Sequence, residues 1–320
     1  MCQNVKSGGN ELNIVFMGTP DFAVGCLESI INSNHTVKAV FSQPDKPVGR
    51  KQILTPPAVK QFAQENNIPV YQPETLKDGA AKKIIEEINP DCVVVVAYGK
   101  LIPESMLAFP KYGYVNVHAS LLPEYRGSAP VQWAIVNGEE KTGVTTMQLD
   151  KGMDTGDILE AKELLIDKDE TAGELFERLS KLGASLIIST LDKLEKGEIT
   201  PIKQDESKAT YAKIICKEMA LIDFNNTATD INNLIRGFNP WPVAYTVYNS
   251  KRIKIFKAEV TTSKGEQPGT VIENSGKLTV ACKDNTALNI SQLQIEGAKR
   301  MNIADFLKGN KIPLNIKLGL

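Results

Sequence analysis

Residues 91–97, DCVVVVA, carry six consecutive apolar side chains with no alternation. A strand with one wet face alternates polar and apolar residues, so this run describes a strand covered on both faces, as in a parallel sheet flanked by helices. It is read as the centre of the sheet. Outward from it, residues 13–17 (NIVFM) form a second short apolar strand, Gly18-Thr19-Pro20-Asp21 turns it into a helix over 22–32, and 37–42 is a third strand. Helical segments over 58–67, 79–88 and 103–108 alternate with strands at 69–71 and 114–118. This alternation predicts an α/β fold with a doubly wound, mostly parallel, Rossmann-like sheet. The first strand–helix turn lacks G-x-G-x-x-G, so no dinucleotide site is implied.

Residues 169–196 are the longest helical stretch, and the stripe of Leu175, Leu179, Leu182, Leu186, Leu191 and Leu194 reads as core packing. A polar segment follows from about 197, and composition shifts near 205, which predicts one domain over 1–205 and a smaller one over 206–320. In the second, a short helix over 229–236 precedes short strands at 252–257, 269–273, 277–281 and 287–294 that predict a small barrel or sandwich. Charge divides along the same line: residues 207–320 hold 16 Lys+Arg against 9 Asp+Glu, or +7, leaving 21 against 29, or −8, for residues 1–206. A basic second half beside an acidic first half suits a polyanionic partner as well as it suits a solvated basic face.

The candidate chemistry lies at 114–135, YVNVHASLLPEYRGSAPVQWAI. Val115 and Val117 alternate with Asn116 and His118, so the two polar side chains share one face of a strand. The alternation stops at Ser120, and 121–130 reads as a loop off the strand's C-terminal end, where open α/β sheets bind ligands. A lone histidine there is more often a satisfied core residue; an amide and an imidazole at i and i+2 can instead aim donors at one developing oxyanion, which points to acyl chemistry. Downstream, strands at 145–149 and 158–165 flank a tight turn whose Asp154 could orient His118 and favour its protonated form. Alone, Asp154 is a turn aspartate in Asp-Thr-Gly.

NVHASLLPEYRGSAPVQWAI followed by MDTGDIL resembles the formyltetrahydrofolate-dependent formyltransferases, and FMGTPDFAV, QPDKPVGR and GFNPWPVAY extend the resemblance over about residues 13–250. The last seventy or so residues match loosely. The resemblance implies that the catalytic Asn, His and Asp are Asn116, His118 and Asp154, and that Ser120, Leu121, Leu122 and Pro123 line a folate site. It implies 10-formyltetrahydrofolate as cosubstrate, no metal, and an OB-like barrel as the smaller domain. The most similar branch formylates the α-amine of methionine on initiator tRNA. In that branch the proline-rich stretch QPDKPVGRKQILTPP, read here as an exposed basic loop, reaches the acceptor end of the tRNA, which gives Lys46, Arg50 and Lys51 a task. The chain reads GRKQI where some members have GRGKK. Rival readings are an amino-sugar formyltransferase, a formyltetrahydrofolate hydrolase domain of a larger dehydrogenase, and a noncatalytic RNA-binding protein. The first two share the Asn-His-Asp set, but the basic second half has no use on a nucleotide sugar and a bifunctional dehydrogenase would require a much longer chain; in the third, Asn116, His118 and Asp154 would lack a task.

Five scattered cysteines without Cys-x-x-Cys spacing and only two histidines support neither a disulfide framework nor a zinc site. No long apolar run or secretory leader is present, so a cytoplasmic, non-membrane protein is expected. A monomer is expected, binding folate and methionyl initiator tRNA.

Overall fold

A computed structural model describes residues 11–49 and 51–319. The chain divides into two compact units. The first takes the chain up to Gly127 with Thr142–Leu164 and Phe176–Tyr211; the second takes Ser128–Lys141, Leu165–Leu175 and the chain from Ala212 onward. The boundary expected near 205 therefore falls inside the first unit. Residues 204–210 stay with it because they bond back onto it, Arg126 N–H donating to Thr210 O at 2.9 Å. Two earlier segments, 128–141 and 165–175, group with the second unit.

In chain order the first stretch holds β1 (Asn13–Gly18), α1 (Asp21–Ile31), β2 (Thr36–Phe41), β3 (Lys46–Val48), β4 (Ile53–Thr55), α2 (Ala58–Glu65), β5 (Val70–Tyr71) and α3 (Ala80–Ile88). It continues with β6 (Cys92–Val96), α4 (Glu104–Leu107), β7 (Tyr114–His118), β8 (Arg126–Gly127), α5 (Pro130–Val136), β9 (Lys141–Gln148), β10 (Ile158–Leu165) and α6 (Ala172–Lys196). The main sheet of the first unit runs β10-β9-β7-β6-β1-β2-β5. From β7 to β5 every neighbour is parallel, and β9 is antiparallel to β7. β6 lies at its centre with every residue buried. One face packs Val15, Met17, Val93, Val95 and Tyr114 against Ala81 and Ile85 of α3, each large side chain contributing roughly 1.5–3 kcal/mol. α6 opens on a reciprocal cap, the Thr171 hydroxyl accepting the Glu174 N–H at 3.4 Å while the Glu174 carboxylate accepts the Thr171 N–H at 2.8 Å.

The stretch read as a proline-rich basic loop is a ribbon. β3 and β4 pair antiparallel, Pro47 opposite Leu54 and Val48 opposite Ile53. Gly49, with φ of +72°, lets the chain leave β3, and Gln52 N–H returns to Gly49 O at 3.2 Å. Prolines hid the strands in the sequence, but Pro is tolerated in a two-stranded ribbon because one row of its N–H groups faces solvent.

The second unit holds α7 (Ala228–Gly237) and, after the short β11 (Tyr211–Ala212) that straddles the division, strands β12 (Tyr245–Tyr248), β13 (Lys251–Thr262), β14 (Val271–Glu273), β15 (Leu278–Ala281), β16 (Thr286–Ile295) and β17 (Met301–Asn302), then α8 (Ile303–Gly309). The strands form an antiparallel sheet ordered β12-β13-β16-β15-β14, with β17 on β16. β13 is longer than the sequence suggested, 12 residues, because two register shifts around Lys257 let it bend and stay paired. The curled sheet wraps Ile231 and Ile235 of α7 and Phe306 of α8 with Ile253, Leu288 and Ile290, a half-barrel of the OB-like kind. α7 starts on a capping box between Thr227 and Asp230. No helix among the described residues is long and apolar enough to cross a membrane.

Candidate active site

β7 presents Asn116 and His118 two residues apart on one face, buried to 9% and 6% exposure. β7 lies between β6, which pairs Val95 with Asn116, and β9, which pairs Met147 with Asn116 and Thr145 with His118. Neighbours on both sides pin the strand, so the two side chains keep their relation without help from the loop. Among the described residues the Asn116 carboxamide has no hydrogen-bond partner, which leaves its N–H groups available to a ligand oxygen. His118 is held at both nitrogens: Nε2 lies 2.9 Å from Tyr125 O and Nδ1 lies 3.6 Å from Asp154 Oδ2. Tyr125 O can only accept, so a proton on Nε2 serves the first contact. The gap to Asp154 is an ion-pair distance, beyond a direct hydrogen bond.

Asp154 reaches that place through a tightly determined turn between β9 and β10. Its backbone is left-handed, φ +55°, a conformation Asp tolerates. Its Oδ2 also accepts the Gly127 N–H at 2.7 Å. Asp150 braces the turn by accepting from Gly152 N at 2.9 Å and Thr155 Oγ1 at 2.7 Å. At Gly156 an added Cβ would stand 1.7 Å from Gln148 O, so only glycine lets the chain fold back there.

The four residues expected at a folate site follow β7 directly. The Ser120 hydroxyl donates to Glu124 O at 2.6 Å, and Thr145 Oγ1 joins Ser120 O at 2.7 Å to the Leu122 N–H at 3.1 Å. Leu121 lies over the backbone of Gly143, where any Cβ would meet its Cδ2 at 2.5 Å. Pro123 O accepts the Thr210 N–H at 3.3 Å. The segment is an anchored wall beside His118. Lys46 and Lys51 are exposed on and beside the ribbon; Arg50 lies outside the described residues. Among the described residues no His/Cys/Asp/Glu group could hold a metal ion.

The sequence reading missed Arg126 and Gln204. Arg126 opens the two-residue strand β8 and has 0% exposure, the largest fully buried side chain of the described residues. Glu206 takes its Nη1 at 2.9 Å and Nη2 at 2.7 Å, while Gln204 Oε1 takes its Nε at 3.0 Å and Nη2 at 2.9 Å. The paired Glu206 carboxylate pushes the guanidinium pKa up, keeping it charged despite burial. No local pattern signals such a residue, because its partners lie about eighty residues downstream.

Residues 12–191 match the family model described as formyl transferase, and residues 214–311 match that of the formyl transferase C-terminal domain. Among curated proteins, the methionyl-tRNA formyltransferase of Lachnospira eligens is 46% identical over 315 residues, covering 96% of this chain and all of the relative. That of Alkaliphilus oremlandii is 46% identical over 309 residues, covering 96% and 100%. Among solved structures, an N-formyltransferase from Helicobacter canadensis in complex with folinic acid and dTDP-3-aminofucose superposes with a TM-score of 0.67 at 22% identity, covering 87% of this chain and 98% of that one, a likeness of fold. With both domain models matched and relatives this similar across their whole length, the chain belongs to the formyl transferase family.

Proposed function

We propose that the protein transfers the formyl group of 10-formyltetrahydrofolate to the α-amine of methionine esterified to initiator tRNA, in the cytoplasm. The observation that carries this reading is the pairing of a free Asn116 carboxamide with a His118 ring held between Tyr125 O and Asp154. The deprotonated amine attacks the formyl carbon. Asn116 donates to the oxyanion that forms, and His118 in its protonated form places positive charge beside it. Asp154 keeps the ring oriented, and its carboxylate takes the proton the attacking amine loses and returns it through water to the departing folate nitrogen. The C–N bond to folate breaks as the new amide forms, and no covalent enzyme intermediate is needed.

Ser120, Leu121, Leu122 and Pro123 form the wall against which the folate rests, a role supported by their position at the end of β7. Lys46, Arg50 and Lys51 meet the acceptor end of the tRNA, supported by exposure of the two lysines. Residues 206–320 contribute further tRNA affinity, supported by the excess of cations after 206. The name shared by the full-length relatives favours methionine on tRNA over an amino sugar as acceptor. The test is to incubate the protein with 10-formyltetrahydrofolate and methionyl initiator tRNA, hydrolyse the ester and look for N-formylmethionine. Its absence, or preferential formylation of a nucleotide-linked amino sugar, overturns the proposal.

A further inference from the structure

We infer that residues 204–210 are a positioning element for the formyl-transfer site, acting through Gln204, Arg126 and Thr210 on the two groups that hold His118. The inference rests on the reading of Asn116, His118 and Asp154 as the catalytic set.

Both partners of His118 come from left-handed backbone on non-glycine residues, Tyr125 at φ +56° and Asp154 at φ +55°. Such conformations persist only where the surroundings impose them. Here one short segment meets both. Thr210 Oγ1 accepts the Tyr125 N–H at 2.8 Å, and Thr210 O accepts the next N–H, of Arg126, at 2.9 Å. Gln204 Nε2 donates to Asp154 O at 2.8 Å and Gly156 O at 2.7 Å, gripping the turn on both sides of Thr155. The same carboxamide turns its oxygen to the buried Arg126 guanidinium. Arg126 stands between Tyr125, whose carbonyl meets His118, and Gly127, whose N–H meets the Asp154 carboxylate.

The bonds therefore close a circuit: His118, Tyr125 O, Arg126, Gln204, the Asp154 turn, and back to His118. A buried arginine that served cohesion alone would bond wherever acceptors lie. These bonds converge on the two loops that flank one imidazole. Displacing the segment moves both of the ring's partners together, and no residue of β7 can compensate.

The test uses Gln204→Leu, which removes both halves of the amide, and Gln204→Glu, which keeps an acceptor for Arg126 and loses the donor to the Asp154 turn. Each variant is characterised by steady-state formylation and by the imidazole N–H and ¹⁵N resonances of its two histidines, with His35 as internal reference. The expected result is a kcat at least tenfold lower in both variants with the folate KM within twofold. The His118 ring signals should move or broaden while those of His35 stay put. Restored kcat in Gln204→Asn, whose shorter amide still donates, would add rescue by the conservative variant.

A folded Gln204→Leu or Gln204→Glu protein with unchanged His118 signals overturns the inference whatever its turnover. So does wild-type kcat in both. If Gln204→Leu fails to fold, Gln204→Glu and Thr210→Val decide by the same readings. The ring signals report on His118 without any acceptor present. Failure of the wild type to formylate methionyl-tRNA would thus count against the proposed function, while the positioning of His118 is judged separately.

Discussion

The two sheets of this molecule solve opposite problems. In the first unit β6 and β7 are buried at every position, whereas β13 of the second unit alternates around Ile253 and Ile255, which are buried while Arg252 is exposed and Lys254 half-covered, and Lys251 and Lys257 are exposed too. A sheet covered on both faces can hold an amide and an imidazole in a dry, fixed setting, where dipoles aimed at a developing charge count for far more than in water. A sheet wet on one face cannot, but it can display many cations at little cost in burial. Chemistry and charge-based attraction thus call for differently buried strands, which is a physical reason for two units in one chain.

The sharpest way to break this contrast is to remove the imidazole. His118→Ala should lower kcat by roughly a hundred- to a thousandfold, about 3–4 kcal/mol of transition-state stabilisation, with the fold intact by circular dichroism. Near-normal turnover in a folded variant would take the chemistry away from the doubly buried sheet. A smaller effect compares one substitution in both sheets. Val94→Ala, at a position with 0% exposure in β6, should cost about 2 kcal/mol by denaturant unfolding, and Val260→Ala, at 46% exposure in β13, less than about 0.5 kcal/mol. Equal costs would mean that burial does not separate the sheets.

The charge side of the contrast is tested at Lys251. Lys251→Ala should flatten the slope of log K for tRNA against log salt by about 0.7–1, with kcat and the folate KM unchanged. An unaltered slope would remove that lysine from the RNA surface. The smallest effect concerns pH. Burial pushes the Glu160 carboxyl up, but Lys193, Thr190 and Ser189 outweigh it and hold the pKa below the ordinary 4.5. A depressed carboxylate stabilises the fold above its unfolded pKa and loses that contribution as pH falls through the folded value. Glu160→Gln should therefore lower the melting temperature at pH 7, and the gap from wild type should close as pH falls from the ordinary carboxylate value through the depressed folded one. A gap that persists in acid would assign the loss to packing.

What could be read from the chain follows from where each signal lies. β6 announces itself because four successive valines admit few other environments, and Asn116 and His118 show their shared face through simple alternation. Asp154 carries a weaker mark, a carboxylate in the turn between two strands that could equally be a plain turn aspartate, and only three dimensions supply the 3.6 Å that relates it to His118. Arg126 was illegible for a different reason. A cation in a loop between Tyr and Gly describes a surface residue until Gln204 and Glu206 arrive from far down the chain to satisfy it. The ribbon was hidden by prolines that normally argue against strands, and the helix after β17 by its shortness.

The ribbon has a consequence for how the protein behaves in a crowded solution. Among the described residues β3 and β4 pair only with each other, which leaves their outer edges open, and Val48, Ile53 and Leu54 are 56%, 61% and 64% exposed. An open edge with greasy side chains is a template on which a second copy can add a strand. Pro47 deletes an N–H from such an edge, and the nearby Lys46 and Lys51 make identical ribbons repel. The lysines proposed to meet RNA would thereby also protect the ribbon against self-association. Lys46→Ala should lower colloidal stability along with RNA affinity, and sedimentation at rising protein concentration would separate lost contact from lost solubility.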